Sequence, residues 1–406
     1  MKEICIINYT SNAAAYGIGT YIREYAHCLE AIGCKVTLIE LGTDKKNTGF
    51  YTKERGNIRE MHIPYSASSG FEKYNRGVCR LLRLYIADSE QLVFHYHYSQ
   101  SDSLHDEVKK HFPLSKSVFT IHYLSWSAGL QGNSALFEKI ICNRNRKKIK
   151  EKHSAIIDGY TKEKTFWEKV DHLVCLSDDT YKLVRDVYEI QTNLWLIPNG
   201  LRKQFRRLSD NQKTVLRAKY HIRPDEKVLL FVGRINPIKG IYPLLSCFDD
   251  VLKAHPNSRL VVIGDGGINE AIKKSGTAGT KILFTGKLDR KIVYQWYQMA
   301  DVALFPSYYE ECSYVGIEMM MHGLPVVASD GYSVKNMFHD NVNACVARIE
   351  NWKKTKKFQE NLKQAIIDVL NSDLSELQKG AEKMYRSKYS IGKMQQGYES
   401  LMYALK

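Results

Sequence analysis

The run Pro306 to Pro325 reads P-S-Y-Y-E-E-C-S-Y-V-G-I-E-M-M-M-H-G-L-P and sets two carboxylates, Glu310 and Glu318, at E-x7-E spacing around the start of a helix. Ser313 has the chemistry of an N-cap, Tyr314 to Met321 supply about two turns, and Gly323 with Pro325 stop them. Glu310 then stays on the loop in front, and Glu318 sits roughly one turn in. Backbone amides at such a start, here at Ser313, Tyr314 and Val315, favour an anion such as a phosphate. Carboxylates accept hydrogen bonds and repel phosphate, so the two glutamates suit hydroxyl groups instead. A ligand that meets both demands is a phosphate joined to sugars.

A second segment, F-V-G-R-I-N-P-I-K-G from Phe231 to Gly240, carries the complementary charge. Arg234 and Lys239 follow a buried strand and precede a helix, so both can project over the strand end. Arg grips phosphate through a planar fork and Lys supplies a compact positive charge. Together they can neutralise a leaving diphosphate. Taken one at a time, each of these groups also reads as ordinary solvated charge; their agreement carries the argument.

The elements that must position them alternate. Ile4 to Asn8 is strand-like and leads through a loop with Gly17-Ile18-Gly19 into a helix with apolar Tyr21, Ile22, Tyr25, Ala26 and Leu29, which Gly33 ends. Val36 to Leu41, Leu92 to Tyr96, Ser117 to His122 and His172 to Leu176 continue the strand series. In the second half, Lys227 to Val232, Arg259 to Ile263, Lys281 to Phe284, Val302 to Phe305 and Pro325 to Ala328 are short apolar runs with helical stretches between several of them. Strands alternating with helices give parallel sheets covered on both faces, with ligands at the carboxyl ends of the strands. The fold class expected is α/β, two doubly wound Rossmann-like domains. At 406 residues the chain exceeds what one core usually serves. The break is expected at Leu196-Ile197-Pro198-Asn199-Gly200, giving an N-terminal domain over 1–198, a C-terminal domain over 199–385 and a terminal helix over 386–406 that packs back toward the first domain.

Composition excludes several classes. Apolar residues at 44% and charged residues at 25% are those of a globular protein. No run is apolar enough to span a bilayer, and no signal peptide is expected. The nine cysteines are scattered, with no C-x-x-C pair, which points to buried thiols in a reducing cytoplasm and away from disulfides or zinc. The formal charge of +15 is partly clustered, in Lys139, Arg144, Arg146, Lys147, Lys148, Lys150 and Lys152, and again in Arg202, Lys203, Arg206 and Arg207. Such runs are solvated faces or meet an anionic membrane surface, which suggests a peripheral place at its inner face. No nucleic-acid module accompanies them, so no nucleic-acid partner is expected.

The V-G-R-x4-K-G segment, the P-S-x-x-E-x7-E segment ending in H-G-L-P-V-V-A-S, and the junction I-P-N-G together resemble the family-4 retaining glycosyltransferases of the GT-B fold, also described as glycosyl transferases group 1. The likeness is strongest from Ile197 to about Asp330. It implies two domains facing a central cleft and transfer of a sugar, with retention, from a nucleotide-diphosphate sugar such as a UDP- or GDP-sugar to an acceptor hydroxyl on a glycan, a lipid-linked saccharide or a peptide. The resemblance assigns Arg234 and Lys239 to the donor diphosphate, Glu318 to the ribose and Glu310 to the transferred sugar. It places Gly17 and Gly19 on a loop that closes on the donor and helps shape the acceptor site. His122, ending F-T-I-H, matches a family histidine near the transferred sugar. Gly264, in Gly264-Asp265-Gly266-Gly267, matches a turn that lines the nucleotide pocket.

Two positions depart from the family pattern: Ser313 stands where glycine is frequent, and Leu201-Arg202 follow Asn199-Gly200 where an acidic residue is common. No D-x-D motif is present, and the D-x-E from Asp88 to Glu90 lies outside the motifs, so a metal is not expected and no cofactor beyond the donor is implied. His95 and His97 alternate on one strand face without an evident third ligand and are read as structural or cleft-lining. The alternative readings are an NAD-type Rossmann protein, for which Gly17-Ile18-Gly19 lacks the full G-x-G-x-x-G fingerprint, and a non-catalytic nucleotide- or polyanion-binding protein.

Overall fold

The structure, a computed structural model, describes residues 1–9, 17–43, 49–65, 70–98, 101–352 and 354–405. The chain divides into two units. The first comprises Met1–Ser125, Ile140–Gly200 and Ile391–Lys406; the second comprises Trp126–Lys139 and Leu201–Ser390.

The first unit is built on eight strands: β1 (Glu3–Tyr9), β2 (Lys35–Thr43), β3 (Tyr51–Arg55), β4 (Ile58–Pro64), β5 (Leu92–Tyr96), β6 (Lys116–Ile121), β7 (His172–Cys175) and β8 (Leu194–Leu196). They lie in the order β3-β4-β2-β1-β5-β6-β7-β8, parallel throughout except for β3, which pairs antiparallel with β4. The second unit contains β9 (Lys227–Val232), β10 (Ser258–Ile263), β11 (Ile282–Gly286), β12 (Val302–Phe305), β13 (Val326–Ser329) and β14 (Cys345–Ala347) in the order β11-β10-β9-β12-β13-β14, all parallel. In each sheet the order reverses beside the first strand, between β1 and β5 and between β9 and β12. Successive connections there leave on opposite faces and open a crevice at the carboxyl ends of the strands.

Apolar runs become central strands because both faces are covered. In the second unit Leu229, Phe231, Leu260 and Val262 are buried against Ile241, Leu244 and Phe248 of the helix Ile241–Ala254 and against Phe358, Leu362 and Ile366 of the helix Thr355–Asn371. The ten strand runs read from the sequence are all present. The four it did not yield are β3, β4, β8 and β14: β3 is wholly exposed and charge-rich, and β8 and β14 are three residues each.

Two sequence expectations change. Gly17 and Gly19, read as loop residues, lie in the first turn of the helix Gly17–Ala31, because the helix that buries Tyr21 and Ile22 starts one turn before them. The rest of that loop lies outside the described residues. The sequence also ran the first domain unbroken to residue 198, whereas Trp126–Lys139 belongs to the second unit, where Trp126 and Phe137 are fully buried and stacked, ring centroids 4.8 Å apart.

The terminal helix Ile391–Ala404 is part of the first unit and packs on the helix Gly17–Ala31. Lys2 Nζ donates to the Leu405 carbonyl (2.5 Å), and the buried Tyr398 hydroxyl hydrogen-bonds the Tyr21 hydroxyl. Tyr398→Phe removes one buried hydroxyl and keeps the ring against Tyr25, so we expect a cost of about 1 kcal/mol. Tyr398→Ala also opens a cavity and should cost about 3–5 kcal/mol. Native-state hydrogen exchange of the terminal-helix amides measures both; equal effects would mean that the hydroxyl, not the ring, holds the helix.

Candidate active site

At the switch point of the second unit, the loops leaving β9 and β12 are tied together. After β9 comes the short 3-10 turn Pro237–Lys239, whose Lys239 N–H donates to the Asn236 side chain (3.2 Å). Gly240 follows with φ +67°, and a side chain there would overlap the carbonyl oxygen of Pro306, the first residue after β12. Only glycine permits that approach. The Tyr308 N–H then donates to the Ile238 carbonyl (2.8 Å), which sets Lys239 opposite the next loop. The result is an ion pair, Lys239 Nζ to Glu310 Oε1 at 2.6 Å, with the carboxylate side chain 9% exposed.

Glu310 is held by backbone as well. Its N–H donates to the Tyr332 carbonyl (3.1 Å), and the Tyr332 N–H donates to the Tyr308 carbonyl (3.0 Å). The neighbouring Glu311 is buried and accepts from the Tyr309 hydroxyl. Arg234 follows Gly233 at the β9 end and is exposed. Gly264 follows β10, its N–H donating to the Gly286 carbonyl at the end of β11 (3.0 Å).

The helix Tyr314–Met321 begins where the sequence placed it. Ser313 caps it, accepting from the Gly316 N–H (3.5 Å), and Tyr314 and Val315 form its first turn. Glu318, on the same helix, is buried. Oε1 faces Arg290 (3.2 Å) and the Tyr294 hydroxyl (3.4 Å), and Oε2 accepts from the Tyr297 hydroxyl (3.1 Å). Burial raises the Glu318 carboxyl above its usual range, against the pull of Arg290 and the hydroxyls. Burial, reinforced by the carboxylate, pushes both phenols up as well, so they remain neutral donors. A carboxylate offers about four acceptor directions; among the described contacts each phenol takes one, Arg290 lies against Oε1 as a counter-charge, and Oε2 has capacity for a further hydroxyl.

Sequence reading did not find Arg290, Tyr294 and Tyr297. Their R-x3-Y-x2-Y spacing on the helix Arg290–Met299 puts all three on one face, which is a visible signal, but their partner is 21 or more residues away.

The C-terminal end of the Glu318 helix is closed by His322. Its Nδ1 lies 2.8 Å from the Glu318 carbonyl, which can only accept, so Nδ1 carries the proton. Among the described residues the buried Nε2 has no partner, and the ring stacks on Phe205 at 3.8 Å. Protonating Nε2 would bury a charge, and burial together with nearby Lys203 and Arg207 lowers the imidazole to about 4.

His122 belongs to the first unit, one residue past β6. Its Nε2 is 3.2 Å from Nδ1 of His97, which follows β5, and its ring meets Tyr21 edge-on at 4.5 Å. His95 is saturated by the Tyr25 hydroxyl (2.6 Å) and Thr120 Oγ1 (2.8 Å). Burial holds His95 and His97 well below the usual imidazole value and pushes His122 down to about 3. All three are therefore neutral near pH 7. Among the described residues, no group of three or more His, Cys, Asp or Glu is placed to hold a metal ion.

Family comparison agrees with this layout. The description Glycosyltransferase Family 4 matches residues 15–205, and Glycosyl transferases group 1 matches residues 212–386. The chain belongs to the family-4 glycosyltransferases. This family-4 chain is 30% identical over 183 residues to the alpha-monoglucosyldiacylglycerol synthase of Streptococcus pneumoniae (strain ATCC BAA-255 / R6), a match that covers 44% of the chain and 41% of the relative. It thus spans less than half the length of that curated protein. Its fold is similar to sucrose-phosphate synthase from Thermosynechococcus elongatus, with a TM-score of 0.77 at 20% identity over 100% of this chain and 99% of that one. It is also similar to Anabaena HepE, solved in complex with UDP and glucose, with a TM-score of 0.71 at 14% identity over the whole of both chains. The two Rossmann-like units of this family-4 protein are those of the GT-B fold.

The buried neutral His322 gives a pH test. Its folded-state pKa lies below its unfolded value, so its contribution to stability is complete above about pH 6.5 and is lost as pH falls toward 4. The loss is about 3 kcal/mol at most. Glu318 acts with the opposite sign: its carboxyl is raised, so its protonation in acid favours the folded state. The comparison is therefore between wild type and His322→Asn, which keeps a donor to the Glu318 carbonyl. We expect hydrogen exchange in the helix Tyr314–Met321 to lose protection between pH 6.5 and 4 more steeply in wild type than in the variant.

Proposed function

We propose that this protein transfers a sugar, with retention, from a nucleoside-diphosphate sugar to an acceptor hydroxyl. The observation that carries the reading is the Lys239–Glu310 pair at the β9/β12 switch point. One member can take up diphosphate charge, and the other can accept hydrogen bonds from a sugar.

In this reaction the bond from the anomeric carbon to the β-phosphate oxygen breaks and the diphosphate leaves with its electron pair. The acceptor oxygen bonds to the same face of that carbon and gives its proton to the departing phosphate oxygen. Arg234, Lys239 and the first-turn amides at Tyr314 and Val315 stabilise the leaving charge, which removes the need for a metal ion. Glu310 orients the transferred sugar. Glu318 uses its remaining acceptor direction for the ribose, while Arg290, Tyr294 and Tyr297 keep the carboxylate fixed. Gly264 lines the nucleotide pocket, and the family resemblance extends roles in sugar transfer to Gly17, Gly19 and His122. The HepE complex with UDP and glucose supports a UDP-sugar as the first donor to try.

Calorimetric binding of UDP, GDP and ADP and of their glucose conjugates tests the donor site. We expect one nucleotide to be selected, and Glu318→Ala and Arg234→Ala each to weaken it by about tenfold or more. Lys239→Ala and Arg234→Ala should each lower kcat/KM by about 100-fold. EDTA should leave turnover unchanged. If no nucleotide binds, or if both cation variants keep near-normal turnover, the reading fails and a non-catalytic Rossmann protein takes its place.

The acceptor side carries a surface expectation. The helix Lys147–Lys152 buries none of its residues, and its four lysines add to the basic run in which it lies. The S. pneumoniae relative is named for a lipid product. We expect binding to anionic vesicles at low salt and release as salt shortens the Debye length to about 8 Å. Equal binding to neutral vesicles would remove this part.

A further inference from the structure

We propose that the segment Trp126–Lys139, encoded within the first unit but folded into the second, is a positioning strap for Glu310. The proposal rests on the reading of Glu310 as the group that orients the sugar.

Three contacts converge on the backbone immediately before that carboxylate. At Gly132, φ is +82°, and a Cβ built there would lie 2.5 Å from the Tyr308 carbonyl oxygen and 2.9 Å from Tyr309 Cβ. The strap backbone therefore presses directly on the two residues preceding Glu310. Trp126 meets Tyr309 edge-on at 6.0 Å and Tyr332 edge-on at 5.3 Å, with Phe137 stacked on its other side. Tyr309 and Tyr332 stack in parallel, 5.3 Å apart and 8° from coplanar. Tyr332 is the residue whose carbonyl receives the Glu310 N–H and whose own N–H binds Tyr308.

The consequence is mechanical. The Tyr308–Glu310 backbone is hydrogen-bonded by Tyr332 and packed against by Gly132, and the Tyr309 ring is held by Trp126. Trp126, Phe137, Tyr309 and Tyr332 are all 5% exposed or less, so this packing is too dense to yield without moving the loop. A displacement of about 1 Å at a reacting centre can cost about 100-fold in rate. The strap thus acts through Glu310 and is not itself a catalytic group.

The test compares Gly132→Ala with Gly33→Ala. Gly33 has nearly the same backbone, φ +79°, but open space around its missing Cβ, so it reproduces the strain without the push. Trp126→Leu and Trp126→Phe form a second pair that does not depend on backbone strain. Two readouts are taken on the full chain: kcat and KM for UDP release from UDP-glucose, and deuterium exchange of the 307–312 amides.

We expect Gly132→Ala and Trp126→Leu to lower kcat about 10- to 100-fold with KM within about threefold. Exchange at 307–312 should rise about tenfold in both. Trp126→Phe, which keeps an aromatic ring against Tyr309, should recover wild-type kcat to within about threefold. The strap proposal is overturned if Gly132→Ala changes exchange no more than Gly33→Ala does, or if exchange rises while kcat stays put. If wild type releases no UDP while the exchange pattern appears as described, the positioning stands and the donor reading fails.

Discussion

Everything around the candidate site is arranged to keep one ion pair, Lys239 to Glu310, at the point where the second sheet reverses its strand order. Two charges brought out of water lose hydration, and their mutual attraction offsets that cost only when geometry is tight. The geometry here is tight because backbone, not side chain, sets it. Gly240 lies against the Pro306 carbonyl, Tyr308 is bonded to Ile238, and Glu310 is bonded to Tyr332. Such a pair adds little net stability. What it offers, on the proposed reading, is a cation and a carboxylate that are already oriented, the lysine for a diphosphate and the glutamate for a sugar hydroxyl.

The first unit brings a different kind of chemistry. Its carboxyl-end cluster of His95, His97, His122, Tyr21, Tyr25, Thr120 and Tyr398 is buried and hydrogen-bonded, and burial keeps the imidazoles neutral. A neutral histidine whose pKa lies near 3 is a poor proton acceptor at pH 7. Its use is as an oriented donor or acceptor.

Much of this was legible in the sequence because it is local. The E-x7-E run foretold a helix from Tyr314 to Met321 with Ser313 as its cap, and β5, β9 and β12 fall on the residues that their apolar runs mark. Local signals failed where structure depends on distant partners. Strand β3 is wholly exposed at a sheet edge, so it has no buried face to give it a period, and its partner β4 buries only Met61 and Ile63. Gly17 and Gly19 read as a turn because glycine is permissive, yet a following amphipathic face drew them into a helix. Arg290, Tyr294 and Tyr297 share a helix face that spacing could reveal, but nothing local says that Glu318 lies against it.

Trp126–Lys139 is the clearest case of information that spacing cannot carry. Its aromatic and apolar residues look like any other buried helix of the first half, and chain order assigns it there. Its placement is decided by fit: a glycine in a left-handed conformation that admits the Tyr308 carbonyl, and an indole that fills the edge of the Tyr309–Tyr332 stack. The same fit means that the loop bearing Glu310 is shaped by residues the group-1 match, at 212–386, does not include. A second domain defined by that match alone would keep the ion pair's two residues and lose the packing behind one of them. Specificity in such a fold need not reside in the motif residues, since what aims the carboxylate is a segment borrowed from the other half of the sequence.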